Sequence, residues 1–344
     1  MSRVGIIANP ASGKDIRRLV SHATVISNTE KTDVVKRVIV GLDSTGVDEI
    51  LIMPDYYGLG IQALEALNHH PFTSKISFLD LEIQGNQEDS IHAARMMKEC
   101  RVDCIITLGG DGTNRVVSKA CGEVPLIPIS TGTNNVFPVM TEGTTAGMAA
   151  GILARKIVDG KEVTMTMKKL KLMAGGEERD LALIDAVVVT ESFIGARALW
   201  DMERVDQVFL TQAEPGSIGL SSLGAALRPV RSQDPFGLWI ELGPGGEKVQ
   251  APIAPGLIRE MEVKSYRVLE PGEKVPISLS PSIIALDGER EVEVNVPDQF
   301  QLALGLDGPK VASISRILGE ASKKGFFRAG GKWPKEKSHE LRSK

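Results

Sequence analysis

Two patterns of apolar and polar residues divide the chain. Up to about residue 160, short apolar runs alternate with longer segments in which apolar residues recur at helical spacing, as at 91–97 and 148–154. This alternation predicts a parallel sheet with helices on both of its faces. The runs assigned to strands are 4–8, 49–53, 75–81, 104–108 and 126–129.

Beyond residue 161 the pattern changes to strand-like runs separated by Gly-Pro and Pro-Gly turns, which predicts a mostly β region. Apolar residues at helical intervals from Ala198 to Phe209 predict one helix across 196–211. The predicted strands are 163–172, 183–190, 237–242, 277–279, 283–286 and 300–306.

Length and composition support a two-domain globular protein. The 344 residues exceed the size at which a single core usually stops growing, and 42% hydrophobic with 24% charged residues is ordinary for such proteins. We therefore predict an α/β domain at 1–160, a β-rich domain at 161–322 and a basic, solvated tail at 323–344. We also expect a homo-oligomer.

Charge and hydropathy exclude several classes of partner. A net charge of -4 offers no basic face to displace counterions from nucleic acid. The opening apolar run ends at Asn9-Pro10, too short for a signal sequence, and no later run approaches the length of a membrane span. We expect a cytoplasmic protein without stable membrane insertion, and a lipid-surface role for the tail is a minor alternative.

The cysteines and histidines do not suggest a disulfide framework or a zinc site. Cys100, Cys104 and Cys121 lie in apolar surroundings and are interpreted as reduced core residues. The five histidines lack zinc-ligand spacing, so any metal is expected to have oxygen ligands.

The strongest candidate site follows the predicted strand 104–108. Glycines there allow a polyanion to approach the main chain at a helix N-terminus. Asp111 would repel phosphate unless it binds Mg²⁺ or accepts a proton, so its position indicates chemistry. The alternative is a turn in which Asp111 bonds its own backbone. The loop consists of Gly109, Gly110, Asp111, Gly112 and Thr113.

Two further polar loops follow the first and fifth predicted strands. The first is a small Gly-Ser turn with one cation, at 10–14, and the second, at 130–135, carries hydroxyl and amide groups suited to phosphate. The second loop alone is also explained as a helix N-cap. Because carboxyl ends of parallel strands meet at one edge, we expect the three loops to converge.

The run 108–113 resembles the GGDGT signature of NAD kinases, diacylglycerol kinases and sphingosine-type lipid kinases. Asn9-Pro10 resembles the first-strand Asn-Pro of these families, and 132–137 resembles their second glycine loop, closest to the lipid-kinase version. The resemblance implies an NAD kinase-like fold, ATP and Mg²⁺, with Asp111 as general base or Mg²⁺ holder. The implied cofactor-binding residues are Asn9, Ser12, Gly13, Lys14, Gly109, Gly110, Gly112, Thr113, Thr131, Gly132, Thr133, Asn134 and Asn135.

The second half resembles NAD kinases in particular. The stretch 214–220 followed by Arg228-Pro229 is similar to their TPTGSTAY…P stretch, and 286–289 is similar to their late Asp-Gly-Gln turn. The opening 5–18 and the stretch 53–58 resemble the AcoX branch, which is found with acetoin catabolism. The resemblance implies a small-molecule acceptor, with NAD as one candidate, and an acceptor side formed by Asp185, Gly216, Ser217, Asp287 and Gly288. Structural alternatives are a strand-end turn for Asp287 and a capped strand residue for Asp185.

Departures from the NAD kinase pattern leave the acceptor open. Ile184 replaces an Asn, and Ile218 and Leu220 replace the Thr and Tyr of the TPTGSTAY-like stretch. We expect an acceptor pocket less polar than a dinucleotide site, if these side chains face the cleft. Two alternatives to a small-molecule kinase are a lipid kinase, favoured by 133–135, and a nucleotide-binding regulator without turnover. ATP and polyphosphate both remain candidate donors.

Overall fold

The computed structural model describes residues 1–12, 22, 24, 26–132, 134–190, 202–297 and 299–328. Of the predicted features, Gly13, Lys14, Thr133, the first part of the 196–211 helix and most of the tail lie outside the described residues.

The first region is a seven-stranded sheet with the strand order β3-β2-β1-β4-β5-β17-β6, numbered along the chain. The strands from β1 to β5 run parallel, which confirms the predicted α/β domain. Its strands are β1 (Arg3–Ala8), β2 (Glu49–Ile52), β3 (Lys75–Phe78), β4 (Cys104–Gly109), β5 (Leu126–Ser130), β6 (Thr164–Thr166) and β17 (Lys310–Ala312).

Helices cover both faces of this sheet. Along β1, Val4 and Ile6 face the core beneath the first and last helices, whereas Ile7 faces a second core on the other side. Both faces of the strand are therefore apolar, as expected for a buried parallel sheet. The helices are α1 (Asn28–Ser44), α2 (Leu59–Ala66), α3 (Gln87–Glu99), α4 (Asp111–Ser118), α5 (Gly143–Ala154), α6 (Gly160–Val163) and α8 (Ile314–Lys323). Among the described residues, no helix is both long enough and apolar enough to cross a membrane.

The second region contains two antiparallel sheets, of six and four strands, which confirms its β-rich character. Their orders are β12-β11-β10-β9-β14-β15 and β13-β16-β7-β8, and one apolar core draws side chains from both sheets. The elements are β7 (Lys169–Ala174), β8 (Glu177–Ala182), β9 (Asp185–Val189), β10 (Val205–Leu210), α7 (Leu220–Leu227), β11 (Gly237–Ala254), β12 (Leu257–Leu269), β13 (Lys274–Pro276), β14 (Ser282–Leu286), β15 (Glu289–Val294) and β16 (Phe300–Gly305).

The predicted helix at 196–211 is wrong over its second part. Residues Val205–Leu210 form β10, which pairs with β9 on one side and β11 on the other. Apolar residues at 205 and 209 fit a helix and a strand equally well, because four residues span one helical turn or two strand repeats. The strand prevails because both of its edges find hydrogen-bonding partners.

The chain returns to the first sheet near its end. Val311 of β17 pairs with Leu126 and with Met165, and Ile317 and Phe326 are buried in the first core. Residues 310–328 therefore pack with residues 1–166, although their position in the chain follows the β-rich sheets. In the described part of the predicted tail, Phe326 is a core residue and not a solvated one.

The cysteines differ in burial. Cys104 and Cys121 are buried, and burial raises the pKa of the Cys121 thiol to about 11. Cys100 is exposed at the C-terminus of α3, so the prediction that all three lie in the core is wrong for this residue.

Helices α1 and α5 approach each other at glycines. A Cβ atom added to Gly147 of α5 would overlap the carbonyl oxygen of Val38, and one added to Gly41 of α1 would overlap that of Thr144. The two backbones are therefore in direct contact, and neither backbone can move aside without moving its whole helix.

We predict that Gly147→Ala lowers the free energy of unfolding by about 1–3 kcal/mol, because the added methyl forces the helices apart. Gly319→Ala is the matched control, since Gly319 is also helical but meets nothing within 4 Å. The control should gain about 0.5–1 kcal/mol from the higher helix propensity of Ala. Urea unfolding measures both, and equal effects of the two substitutions would contradict the close packing.

Candidate functional site

The loops after β1, β4 and β5 lie side by side at the carboxyl edge of the first sheet. The side-chain amide of Asn9 donates to Thr113 Oγ1 over 2.9 Å, and Thr131 Oγ1 donates to Ser12 Oγ over 3.0 Å. The N–H of Thr131 also donates to the Gly109 carbonyl at 3.3 Å. The structure therefore brings residues of all three sequence-predicted loops into contact.

A buried lysine holds the loop that follows β1. Lys31 of α1 is 1% exposed, and its Nζ donates to the carbonyls of Asn9, Pro10 and Ser12 at 3.2, 3.2 and 2.9 Å. Sequence reasoning assigned the cation of this loop to Lys14 and missed Lys31, which lies near the start of α1, outside the motifs that it identified. Lys31 places a positive charge directly beneath the predicted phosphate loop.

Asp111 connects the loop after β4 to the loop after β5. It is the first residue of α4, and its carboxylate accepts the N–H of Phe137 at 2.8 Å and that of Val136 at 3.1 and 3.2 Å. These donors belong to a different loop, so the alternative of a turn closed on its own backbone does not describe these bonds. Consecutive backbone N–H groups that hold a carboxylate are also suited to phosphate oxygens.

The glycines of the GGDGT loop are required by space. Gly110 has a φ of −99°, which any residue adopts, so a left-handed conformation is not the reason for glycine here. A Cβ on Gly110 would lie 2.8 Å from Asn135 Oδ1, and one on Gly112 would lie 3.0 Å from Glu289 Oε1. The loop is therefore a narrow cradle with polar atoms close to its backbone.

Asn114 fixes the start of this cradle from below. It is fully buried, its Nδ2 donates to the Gly110 carbonyl at 2.9 Å, and its Oδ1 accepts from Thr107 Oγ1 at 2.6 Å. The carbonyl of Gly110 is thereby held towards the protein interior, away from a ligand at the loop.

Asp287 lies beneath the acceptor side of the predicted site. Asp287 and Gly288, both at positive φ, form the turn between β14 and β15. The Asp287 carboxylate is buried and accepts the N–H groups of Leu183, Ile184 and Asp185 at 2.8, 2.7 and 3.2 Å. Burial raises the pKa of Asp287, whereas the Arg115 guanidinium and these N–H groups act in the opposite direction. Asp287 thus sets the position of Asp185 at the start of β9.

Arg115 joins the two regions of the protein beside the GGDGT loop. This α4 residue is fully buried, and its guanidinium lies 3.3 Å from Asp180 Oδ1 of β8 and 3.9 Å from Glu289 Oε2 of β15. Lys119, one turn further along α4, also pairs with Asp180 at 2.7 Å. Sequence reasoning gave no role to Arg115, two residues after the GGDGT loop, or to Glu289, the last residue of the Asp-Gly-Gln-like turn.

Gly216 and Ser217 belong to a loop that bonds to another part of the second region. Gly216 is exposed with a φ of +94°, and the Ser217 N–H donates to the Glu214 carbonyl at 3.0 Å. The same loop bonds to the β11–β12 hairpin through the N–H of Gly219 and the carbonyl of Pro252, at 3.1 Å. These hydrogen bonds connect the loop to the hairpin and not to the GGDGT loop.

The structure corrects the expected position of two apolar replacements. Ile184 is 1% exposed in a cluster with Leu183 and Phe137, and Leu220 is buried in the core around α7. Neither side chain lines a cleft, so their apolar character serves packing. Ile218 is half-buried.

Within the described residues, no three His, Cys, Asp or Glu side chains gather as a metal-binding group. Two acidic residues lie at this loop. Asp111 directly precedes Gly112, and Glu289 Oε1 would lie 3.0 Å from a Cβ added to Gly112. Carboxylate oxygens are ligands of the type that Mg²⁺ prefers in proteins.

Comparisons with known proteins agree with this division of the chain. The family model described as ATP-NAD kinase N-terminal domain matches residues 4–157, and the one described as acetoin catabolism protein X C-terminal domain matches residues 168–307. Acetoin catabolism protein X of Cupriavidus necator is 39% identical over 312 residues, which cover 88% of this chain and 87% of that protein. The chain therefore belongs to the family of acetoin catabolism protein X, and its first domain is of the ATP-NAD kinase type.

Proposed function

We propose that this protein is an ATP-dependent kinase that transfers the terminal phosphate to a hydroxyl group of a small molecule linked to acetoin catabolism. The observation that carries the proposal is the meeting of three loops around Asp111 at the carboxyl edge of the sheet. Ligands of open parallel sheets bind at this edge. The resemblance of the loops to kinase motifs and the match to the ATP-NAD kinase domain support the same reaction.

The phosphates of ATP would bind at the N-terminus of α4. The first N–H groups of a helix have no acceptor within the helix, and the helix dipole favours an anion at this end. The side chains of Thr131 and Asn135 border the loop, and Lys31 contributes its charge from below. Magnesium, held by a carboxylate and the phosphates, would neutralise charge that develops during transfer.

A carboxylate next to the cradle would accept the proton of the acceptor hydroxyl. The hydroxyl oxygen then forms a bond to the terminal phosphorus while the bond to the bridging oxygen of ADP breaks, and ADP leaves. Asp111 is our candidate for the base. Glu289, whose carboxylate lies over Gly112, is the second carboxylate of the site and the candidate for magnesium.

The acceptor would bind against the second region, near Asp185, Gly216, Ser217 and the Asp287-Gly288 turn. NAD kinases hold their dinucleotide with an Asn that is Ile184 here, and this residue is part of the apolar core. We therefore propose an acceptor other than NAD, such as a smaller hydroxyl compound.

The test is a coupled assay of ADP release from ATP across NAD, acetoin, short diols and diacylglycerol, and with polyphosphate as donor the phosphorylated acceptor itself is detected. Release with acetoin or a diol supports the proposal, whereas release with diacylglycerol alone identifies a lipid kinase. Tight binding of ATP in calorimetry, with no ADP released in the presence of any acceptor, contradicts the kinase proposal and favours a nucleotide-binding regulator.

We predict that Asp111→Asn lowers the rate of phosphoryl transfer by about 10²–10⁴-fold, because the amide cannot accept a proton. The variant should remain folded, since its amide oxygen can still accept the N–H of Phe137. Asp89→Asn is the matched control. Asp89 also accepts two backbone N–H groups, of Gln84 and Gly85, but lies on α3. If Asp111→Asn loses thermal stability in step with activity, or the control loses equal activity, the proposed role fails.

We predict that Gly110→Ala weakens ATP binding by about tenfold or more, equivalent to about 1.4 kcal/mol, because the methyl enters the cradle near Asn135. Gly132→Ala should have a smaller effect, since a Cβ there meets its nearest atom at 3.5 Å. Isothermal titration with Mg-ATP measures both affinities. Equal affinities for both variants and the parent protein would eliminate the cradle.

We predict that Ile184→Asn destabilises the protein by about 1–3 kcal/mol without raising NAD phosphorylation, because the amide enters an apolar cluster. Ile218→Asn is the comparison, since Ile218 is only half-buried and should tolerate the change. Chemical denaturation and the specificity constant for NAD are the measurements. A rise in NAD phosphorylation for Ile184→Asn would show that this residue contacts the acceptor.

A further inference from the structure

Most edges of the sheets in the described structure are protected against pairing with another chain. Strand edges carry free backbone groups, and charged residues or proline on them prevent association. Strands β8, β12 and β15 interleave charged residues along their length, and β13 contains a proline. The two edges of the seven-stranded sheet, β3 and β6, are less protected, and β6 has only three residues.

Exposed apolar side chains occur on β3, on the neighbouring helix α2 and on the segments that follow β2 and β3. Phe78 of the strand lies against Gly60 of α2, where an added Cβ would be 2.9 Å from its ring. The charge at the start of the strand, Lys75, pairs with Glu49 of β2 at 2.8 Å and is thereby drawn towards its own sheet. We define the β3 patch by its exposed large apolar residues: Tyr56, Tyr57, Ile61, Phe78 and Ile83.

The backbone of β3 also presents hydrogen-bonding groups at this edge. The N–H of Lys75 donates to the carbonyl of Asp48, just before β2, and the N–H of Leu79 donates to the carbonyl of Ile52 in β2, each at 3.0 Å. In a parallel pair, alternate residues direct their N–H and C=O groups to the same neighbour. The intervening residues Ile76 and Phe78 therefore direct theirs away from β2, towards solvent.

We propose that β3 pairs antiparallel with β3 of a second copy of this chain, around a twofold axis at Ser77. In this register Ile76 of one copy lies opposite Phe78 of the other, and each pair exchanges both of its backbone hydrogen bonds. In this way, the backbone N–H and C=O groups of Ile76 and Phe78 that point away from β2 all form hydrogen bonds.

The same register is complementary in its side chains. A twofold axis perpendicular to the sheet keeps each residue on its own face, so Ile76 and Phe78 form apolar cross-strand pairs on one face. Ile61 and Tyr57 extend this contact from the adjoining helix and its flank. The patch therefore fits a second copy of itself.

Such a dimer leaves both candidate sites complete. The joined strands run in opposite directions, so the carboxyl edges that carry the GGDGT loops lie on opposite sides of the continuous sheet. The inference is independent of the proposed activity, because no site residue belongs to the interface.

Cross-linking tests the register directly. Ser77 faces Ser77 of the other copy in a non-hydrogen-bonded pair, for which the Cα atoms are about 4.5 Å apart, within disulfide range. In a Cys100→Ser background, Ser77→Cys should form a covalent dimer under mild oxidation. Ser265→Cys, on the exposed edge strand β12, is the control and should not.

Sedimentation equilibrium tests the association itself. The parent protein should be dimeric at about 100 μM, a hundredfold above a Kd of about 1 μM. Ile61→Glu should raise the Kd at least tenfold, whereas Ile258→Glu on β12, which is also exposed, should not change it. A monomer at this concentration, or a dimer that Ser77→Cys fails to cross-link, would overturn the proposal.

Discussion

A buried guanidinium next to the GGDGT loop is the interaction on which the arrangement of the two regions depends. Removal of Arg115 from water costs several kcal/mol unless carboxylates accompany it, and Asp180 and Glu289 both come from the second region. Helix α4 can therefore bury this side chain only while the second region is docked. The same contact brings Glu289 over Gly112 and places positive charge near Asp287, whose carboxylate holds the start of β9. One ionic cluster thus links the predicted phosphate cradle to the predicted acceptor side.

The cradle itself depends on contacts between loops that are distant in the chain. Lys31 donates to carbonyls of the loop after β1, and Asp111 accepts backbone N–H groups of the loop after β5. The N–H groups of Val136 and Phe137 thus bind an anion, the Asp111 carboxylate. A nucleotide phosphate at the same edge would compete for these donors, and its binding would change the environment of Asp111.

The sequence predicted those features that arise from local pattern. The parallel strands and the loops at their carboxyl ends could be assigned because apolar runs alternate with helical segments and because glycines follow three of the strands. Contacts between distant elements could not be assigned in this way. Lys31 lies outside the kinase-like motifs. Strand β17 has only three residues and is placed by its pairing with Leu126 and Met165. The apolar spacing at Val205 and Phe209 fits both a helix and a strand. Ile184 stands at a motif position that is Asn in NAD kinases. The sequence alone does not show whether the side chain at such a position faces a ligand or the core.

Hydrogen exchange with and without Mg-ATP tests the central claim most directly, that three loops form one nucleotide site. We expect slower exchange of backbone amides at 109–113 and 134–137 together, with smaller changes at 9–12, because one polyphosphate contacts adjacent strand ends. Protection confined to the second region, or no change at saturating Mg-ATP, would contradict the account.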